Sequence, residues 1–158
     1  MTASPMLRLE HTYPTTAEEI WRLWTTPDGI ESWWSPDGFS VAVQELDLRP
    51  GGTLLYTMTA TGPEQIEFLE NTGLPLVTTS RKTFTEVDAP RRLAYSSLID
   101  FAGVPPYEHL TVVDVEPTGG DAHVVMTVEP MHDEVWTERL LAGRQNELEN
   151  LAAAIAAS

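Results

Sequence analysis

Residues 133–156, DEVWTERLLAGRQNELENLAAAIA, decide the fold. The run holds no proline and a single glycine, Gly143. Trp136, Leu140, Leu148, Leu151 and Ile155 fall close to one stripe, whereas Glu138, Arg139, Gln145, Asn146 and Glu149 lie mostly off it. Apolar positions recurring every three to four residues share one side of an α-helix. The spacing therefore predicts an amphipathic helix roughly 35 Å long. Asp133 supplies its N-cap. Gly143 sits close to the apolar stripe, where a missing side chain is expected to let the helix backbone approach a sheet.

Ahead of this helix the chain reads as short strands and two short helices. Residues 7–13 form an opening strand that Pro14 stops. Thr15 with Glu18, or Thr16 with Glu19, makes a capping-box start, and Ala17, Ile20, Trp21 and Trp24 follow at helical spacing. Thr26 as N-cap and Pro27 as first helical residue start a second helix carrying Ile30, Trp33 and Trp34, ended by Ser35-Pro36-Asp37-Gly38. Residues 39–48 and 53–60 form a hairpin about Arg49-Pro50-Gly51-Gly52, with Leu54, Tyr56, Met58 and Ala60 on one face. Residues 62–75 break the pattern and read as an inserted loop or lid, with a helical turn at 63–69. Strands resume at 76–87, 93–99, 107–116 and 122–129, joined by short turns that imply antiparallel neighbours.

No repeat, low-complexity tract or linker divides residues 1–158, so one domain is expected. A single seven-stranded sheet must cover its apolar face, and the long helix is the only element large enough to do so. The fold class is α+β: a helix-grip arrangement of a curved antiparallel sheet, two short helices after the first strand, and a long C-terminal helix. Curvature leaves a gap beneath that helix, and an apolar gap is a natural binding cavity.

Nine basic against twenty-four acidic residues give a net charge of −15. Such a surface repels phosphate backbones and anionic headgroups, which argues against nucleic-acid and membrane partners. There is no cysteine, hence no disulfide framework or thiolate metal site. The first nine residues lack the blocks of a signal peptide, and no apolar run approaches the roughly 20 residues of a membrane span, so a cytoplasmic location is expected. The sequence contains no Gly-rich phosphate loop, nucleophile elbow or zinc-protease helix, and no cofactor is expected. The oligomeric state is open, a homodimer being one option.

Five stretches in order carry a family resemblance. They are Ala17-Glu18-Glu19-Ile20-Trp21 with Trp24, Ser32-Trp33-Trp34-Ser35-Pro36, and residues 45–52 (ELDLRPGG). Pro90-Arg91-Arg92-Leu93 follows, and then the terminal run from His132-Asp133-Glu134-Val135-Trp136-Thr137 to Leu148 and Leu151. In this order they resemble the START/Bet v 1-like (SRPBCC) superfamily, and within it bacterial relatives of the C-terminal domain of the activator of Hsp90 ATPase. The resemblance covers nearly the whole chain and implies an apolar cavity under the long helix. It leaves function wide, because the superfamily includes lipid carriers, polyketide cyclases and hormone receptors.

Alternation along residues 107–116 turns Tyr107, His109, Thr111, Val113 and Val115 inward, with Glu108, Asp114 and Glu116 outward. A histidine beside a phenol has the chemistry of a general base or proton shuttle, so Tyr107 and His109 are the catalytic candidates if the chain is an enzyme. A buried pair that bonds locally and shapes the pocket is the plainer reading. Four of the five tryptophans fall between Trp21 and Trp34, a dense supply of rigid apolar area. Trp21 and Trp24 are expected to seal the sheet, while Trp33 or Trp34 covers the entrance. The expected ligand-binding residues are Trp33, Tyr56, Met58, Tyr95, Tyr107, His109 and Trp136. Arg81, midway along a strand, has the chemistry to pair with an acid or bind a ligand carboxylate, but a solvent-facing cation is the more common case and the reading taken. Consecutive His132, Asp133 and Glu134 cannot converge on one ion, so no metal is expected; His11 and His123 have no partner identifiable from spacing. These residues lead to a hydrophobic small molecule as partner. The alternatives are a cyclase- or hydratase-like enzyme using His109 with Tyr107, and a protein-interaction module.

Overall fold

The computed structural model describes residues 6–35, 37–100 and 103–157. Strand β1 (Leu7–Tyr13) leads into helices α1 (Ala17–Thr25) and α2 (Pro27–Trp33). Strands β2 (Phe39–Leu46) and β3 (Thr53–Ala60) follow, then helix α3 (Pro63–Thr72). Strands β4 (Val77–Asp88), β5 (Arg92–Ile99), β6 (Tyr107–Thr118) and β7 (Asp121–Val128) precede the long helix α4 (Glu134–Ala157).

Helices α1, α2 and α4 start where side-chain oxygens meet orphan amides. Thr16 Oγ1 accepts from the Glu19 amide at 3.1 Å, so of the two capping-box options the second is used. Thr26 Oγ1 accepts from the Gly29 amide at 3.1 Å, and Asp133 Oδ1 from the Trp136 amide at 2.8 Å. In the expected stop after α2, Pro36 lies outside the described residues. Residues 62–75 hold more than the expected single turn. Helix α3 runs ten residues and ends where Gly73 takes φ 71°, the left-handed conformation that glycine adopts without steric cost. No residue of α3 is buried.

The seven strands form one sheet in the order β1-β7-β6-β5-β4-β3-β2, every pair antiparallel. From β2 onward each strand pairs with the next. Strand β1 instead joins the far edge beside β7, so α1 and α2 carry the chain from one edge to the other. Register shifts between Val43 and Glu45, and between Phe84 and Glu86, add local twist.

Helix α4 grips the inner face. Leu148 and Leu151 are fully buried among Tyr13, Val113, Val124 and Met126, each burial being worth roughly 1.5–3 kcal/mol. The Tyr13 hydroxyl donates to the Leu148 carbonyl at 2.8 Å, and the Asn150 side chain donates to the Ser35 carbonyl at 3.4 Å. These bonds pin α4 to β1 and to the end of α2. One expectation is corrected. A Cβ built at Gly143 meets nothing within 4 Å, so no close approach to the sheet occurs there. The residue on the buried stripe is its neighbour Arg144, four residues from both Leu140 and Leu148.

Candidate functional site

Period-two alternation and strand register bring a row of polar side chains onto the inner face. Tyr56 of β3 faces Ser80 of β4, Lys82 of β4 faces Ser97 of β5, Tyr95 of β5 faces Thr111 of β6, and Ser97 faces His109. Helix α4 lowers Arg144 and Glu147 onto this row. Arg144 donates to the Tyr95 hydroxyl and to Thr111 Oγ1, each at 3.1 Å, and lies 3.5 Å from a Glu147 carboxylate oxygen. Lys82 Nζ donates to Ser97 Oγ at 2.8 Å and stands 5.5 Å from the Tyr95 ring centroid and 6.0 Å from that of Tyr56. Both distances suit cation–π attraction.

The charges respond to this setting. Desolvation pushes the Lys82 ammonium down to about 8, with help from the like charge of Arg144. Burial drives the Tyr95 phenol up to about 12 and raises that of Tyr56. Burial opposes the charge on Arg144, but Tyr95 and Glu147 more than offset it and the guanidinium is held protonated. Burial also lowers the pKa of His109, against its bond to the Glu129 carbonyl. A carbonyl only accepts, so His109 Nε2 carries the proton and donates to Glu129 O at 2.6 Å.

Two cavities reach this row. The first, about 250 Å³, opens between α4 and β3 and is walled by Trp34, Tyr56, Met58, Gly143, Asn146 and Glu147. The second, about 610 Å³, lies where β4 and β5 part. Their pairing starts at Lys82 and Ser97. Before it, residues 79–81 pair only with β3, and beyond it Leu98 and Ile99 pair only with β6. Ser80, Lys82, Ser97 and Ile99 line this gap on the inner face, and Arg81 and Glu108 line it on the outer face.

The structure distributes the expected site residues over several places. Tyr56 and Met58 share the first opening with Trp34, whose ring lies 6.0 Å from that of Tyr56. Trp33 is buried between Trp24 and Trp34, and its indole donates to the Leu23 carbonyl at 2.7 Å. Tyr95 lies with Lys82 and Arg144. Tyr107 and Trp136 gather about His132 at the start of α4. Tyr107 Oη is 2.9 Å from His132 Nδ1, and the His132 and Trp136 ring centroids are 6.1 Å apart. Tyr107 and His109 both sit on β6, but one meets His132 and the other Glu129. Arg81 is exposed.

Lys82 and Arg144 were missed by the sequence reading, and each carried a signal. Position 82 has the parity of buried Phe84, and position 144 continues the stripe from Leu140 to Leu148. Among the described residues no group of three or more His, Asp or Glu side chains is placed to hold a metal ion. No helix of the described residues is long and apolar enough to cross a membrane.

Comparisons with known proteins fit this architecture. The family model described as Activator of Hsp90 ATPase homolog 1-like protein matches residues 14–156. No curated protein matches the chain. Among solved structures, a protein of Chromobacterium violaceum is 24% identical with a TM-score of 0.71, covering 96% of each chain. The AHSA1 protein of Silicibacter pomeroyi is 21% identical with a TM-score of 0.73, covering 96% of this chain and 97% of that one. A Mycobacterium smegmatis protein is 18% identical with a TM-score of 0.72, covering 99% and 96%. At such identities the likeness is one of fold.

Proposed function

The chain belongs to the Activator of Hsp90 ATPase homolog 1-like family, and on that premise we propose that it is a binding domain for a small, largely apolar molecule held between the sheet and α4. The observation that carries this reading is the opening of about 250 Å³ walled by Trp34, Tyr56 and Met58, beside a helix position that bears no side chain. Aromatic walls and a few polar groups at the base are the usual make-up of a small-molecule site. The rings offer area at low entropic cost, and Met58 adapts to irregular shapes.

The test is calorimetric titration with naphthalene-based ligands, compared between the natural chain and Gly143→Leu. A leucine there points into open space beside the opening, so the fold survives and the entrance narrows. Binding to the natural chain that falls at least about tenfold in the variant, or about 1.4 kcal/mol, is expected. Equal binding by both proteins would refute this entrance, and absence of binding to the natural chain would refute the reading.

A further inference from the structure

The second cavity adds chemistry that an apolar ligand does not use. Its inner end is Lys82, whose ammonium has three donors to satisfy, and Ser97 Oγ is the acceptor in place. Among the described residues Lys82 forms no ion pair, although the chain carries twenty-four acidic residues. Around it stand Tyr56 of β3, Ser80 of β4, Tyr95 and Ser97 of β5, His109 and Thr111 of β6, and Arg144 and Glu147 of α4. Of these only Glu147 is an acid, and it lies against Arg144; Glu108, which lines the cavity from the outer face of the sheet, accepts from Ser96 Oγ and forms no pair with Lys82. The cluster therefore holds two cations against one carboxylate, with His109 neutral. Arg144 is buried and Lys82 half-buried, and an excess positive charge so desolvated is costly unless an anion meets it. The cavity of about 610 Å³ at this point has the volume of a small-molecule site, and both faces of the parted strands line it.

We propose that this site takes the carboxylate of an amphipathic organic acid, with the Lys82 ammonium as the partner of the anion and the cavity-lining Leu98 and Ile99 side chains against its apolar body. This inference rests on the binding reading above and names its ligand class. A carboxylate supplies two oxygens to the free donors of Lys82, and the charge-assisted bond is stronger for the low dielectric around it.

The experiment compares 2-naphthylacetic acid with 2-naphthylacetamide, which share shape and differ in charge, by calorimetry at about pH 6.5, where Lys82 is protonated. A hydrogen bond to a charged group predicts that the natural chain binds the acid about 10- to 100-fold more tightly than the amide. Lys82→Met and Lys82→Gln, each checked for fold by circular dichroism, are expected to keep the amide affinity and lose the preference. Equal affinities in the natural chain, or a preference that survives in either folded variant, would overturn the assignment. Amide binding without acid preference sinks this inference and leaves the binding reading standing. Failure of both compounds to bind the natural chain removes both.

Discussion

Gly143→Ala gives a sharp test of how α4 sits on the sheet. A glycine inside a helix costs roughly 0.5–1 kcal/mol relative to alanine, because more backbone freedom is lost on folding. Whether alanine recovers that amount depends on what its methyl group meets. A Cβ at position 143 finds nothing within 4 Å, and the residue is exposed, so no clash subtracts from the gain and no burial adds to it. The expected stabilisation is therefore about 0.5–1 kcal/mol. For a domain of this size, that raises the melting temperature by roughly 1–4 °C. Thermal and urea unfolding followed by far-ultraviolet circular dichroism and tryptophan fluorescence measure it, with an unchanged urea slope expected. Ala142→Gly, at the exposed neighbouring position, should lose a similar amount. A fall in stability for Gly143→Ala would refute the reasoning, since it would mean that the helix touches the sheet at that point.

The other predictions concern the buried polar groups. Tyr13→Phe removes the bond to the Leu148 carbonyl and should destabilise by about 1 kcal/mol in urea unfolding, with an unchanged circular dichroism spectrum. Arg144→Met leaves Glu147, Tyr95 and Thr111 without their shared donor and should cost about 3 kcal/mol, read from the shift in urea midpoint. Lys82 gives a pH signature. Its pKa in the folded chain is about 8, below the usual lysine value of 10.5, so between these the unfolded state binds more protons and stability rises with pH. Lys82→Met should therefore gain most over the natural chain below about pH 8, with the difference shrinking as pH climbs toward 10.5. A difference independent of pH would contradict the desolvation of that ammonium.

Most of the fold was legible because its signals are local. The stripe in α4, the Thr16, Thr26 and Asp133 caps and the alternation in β3 and β6 depend on residues a few positions apart. Steric and hydrogen-bonding rules fix their meaning without the rest of the chain. Helix α3 was read short because its apolar residues form no buried stripe. Its length follows from Pro63 at the start and Gly73 at the end.

The site was legible only in its parts. Tyr56, Met58 and Tyr95 could be assigned to the inner face by alternation, and Lys82 and Arg144 carried the same kind of periodic signal. Their meeting could not be read, because positions 82 and 144 are joined by three strand registers and the placement of a helix. Likewise, the partners of Tyr107 and His109 come from His132 and Glu129, on segments that reach β6 only in the folded chain. Short-range periodicity encodes the elements, their order and the helix that closes the sheet. Tertiary structure alone decided that Gly143 borders an opening, that β4 and β5 part at Lys82, and that two cations share an aromatic interior. Those outcomes depend on long-range register and on the path of α4, which no local pattern encodes.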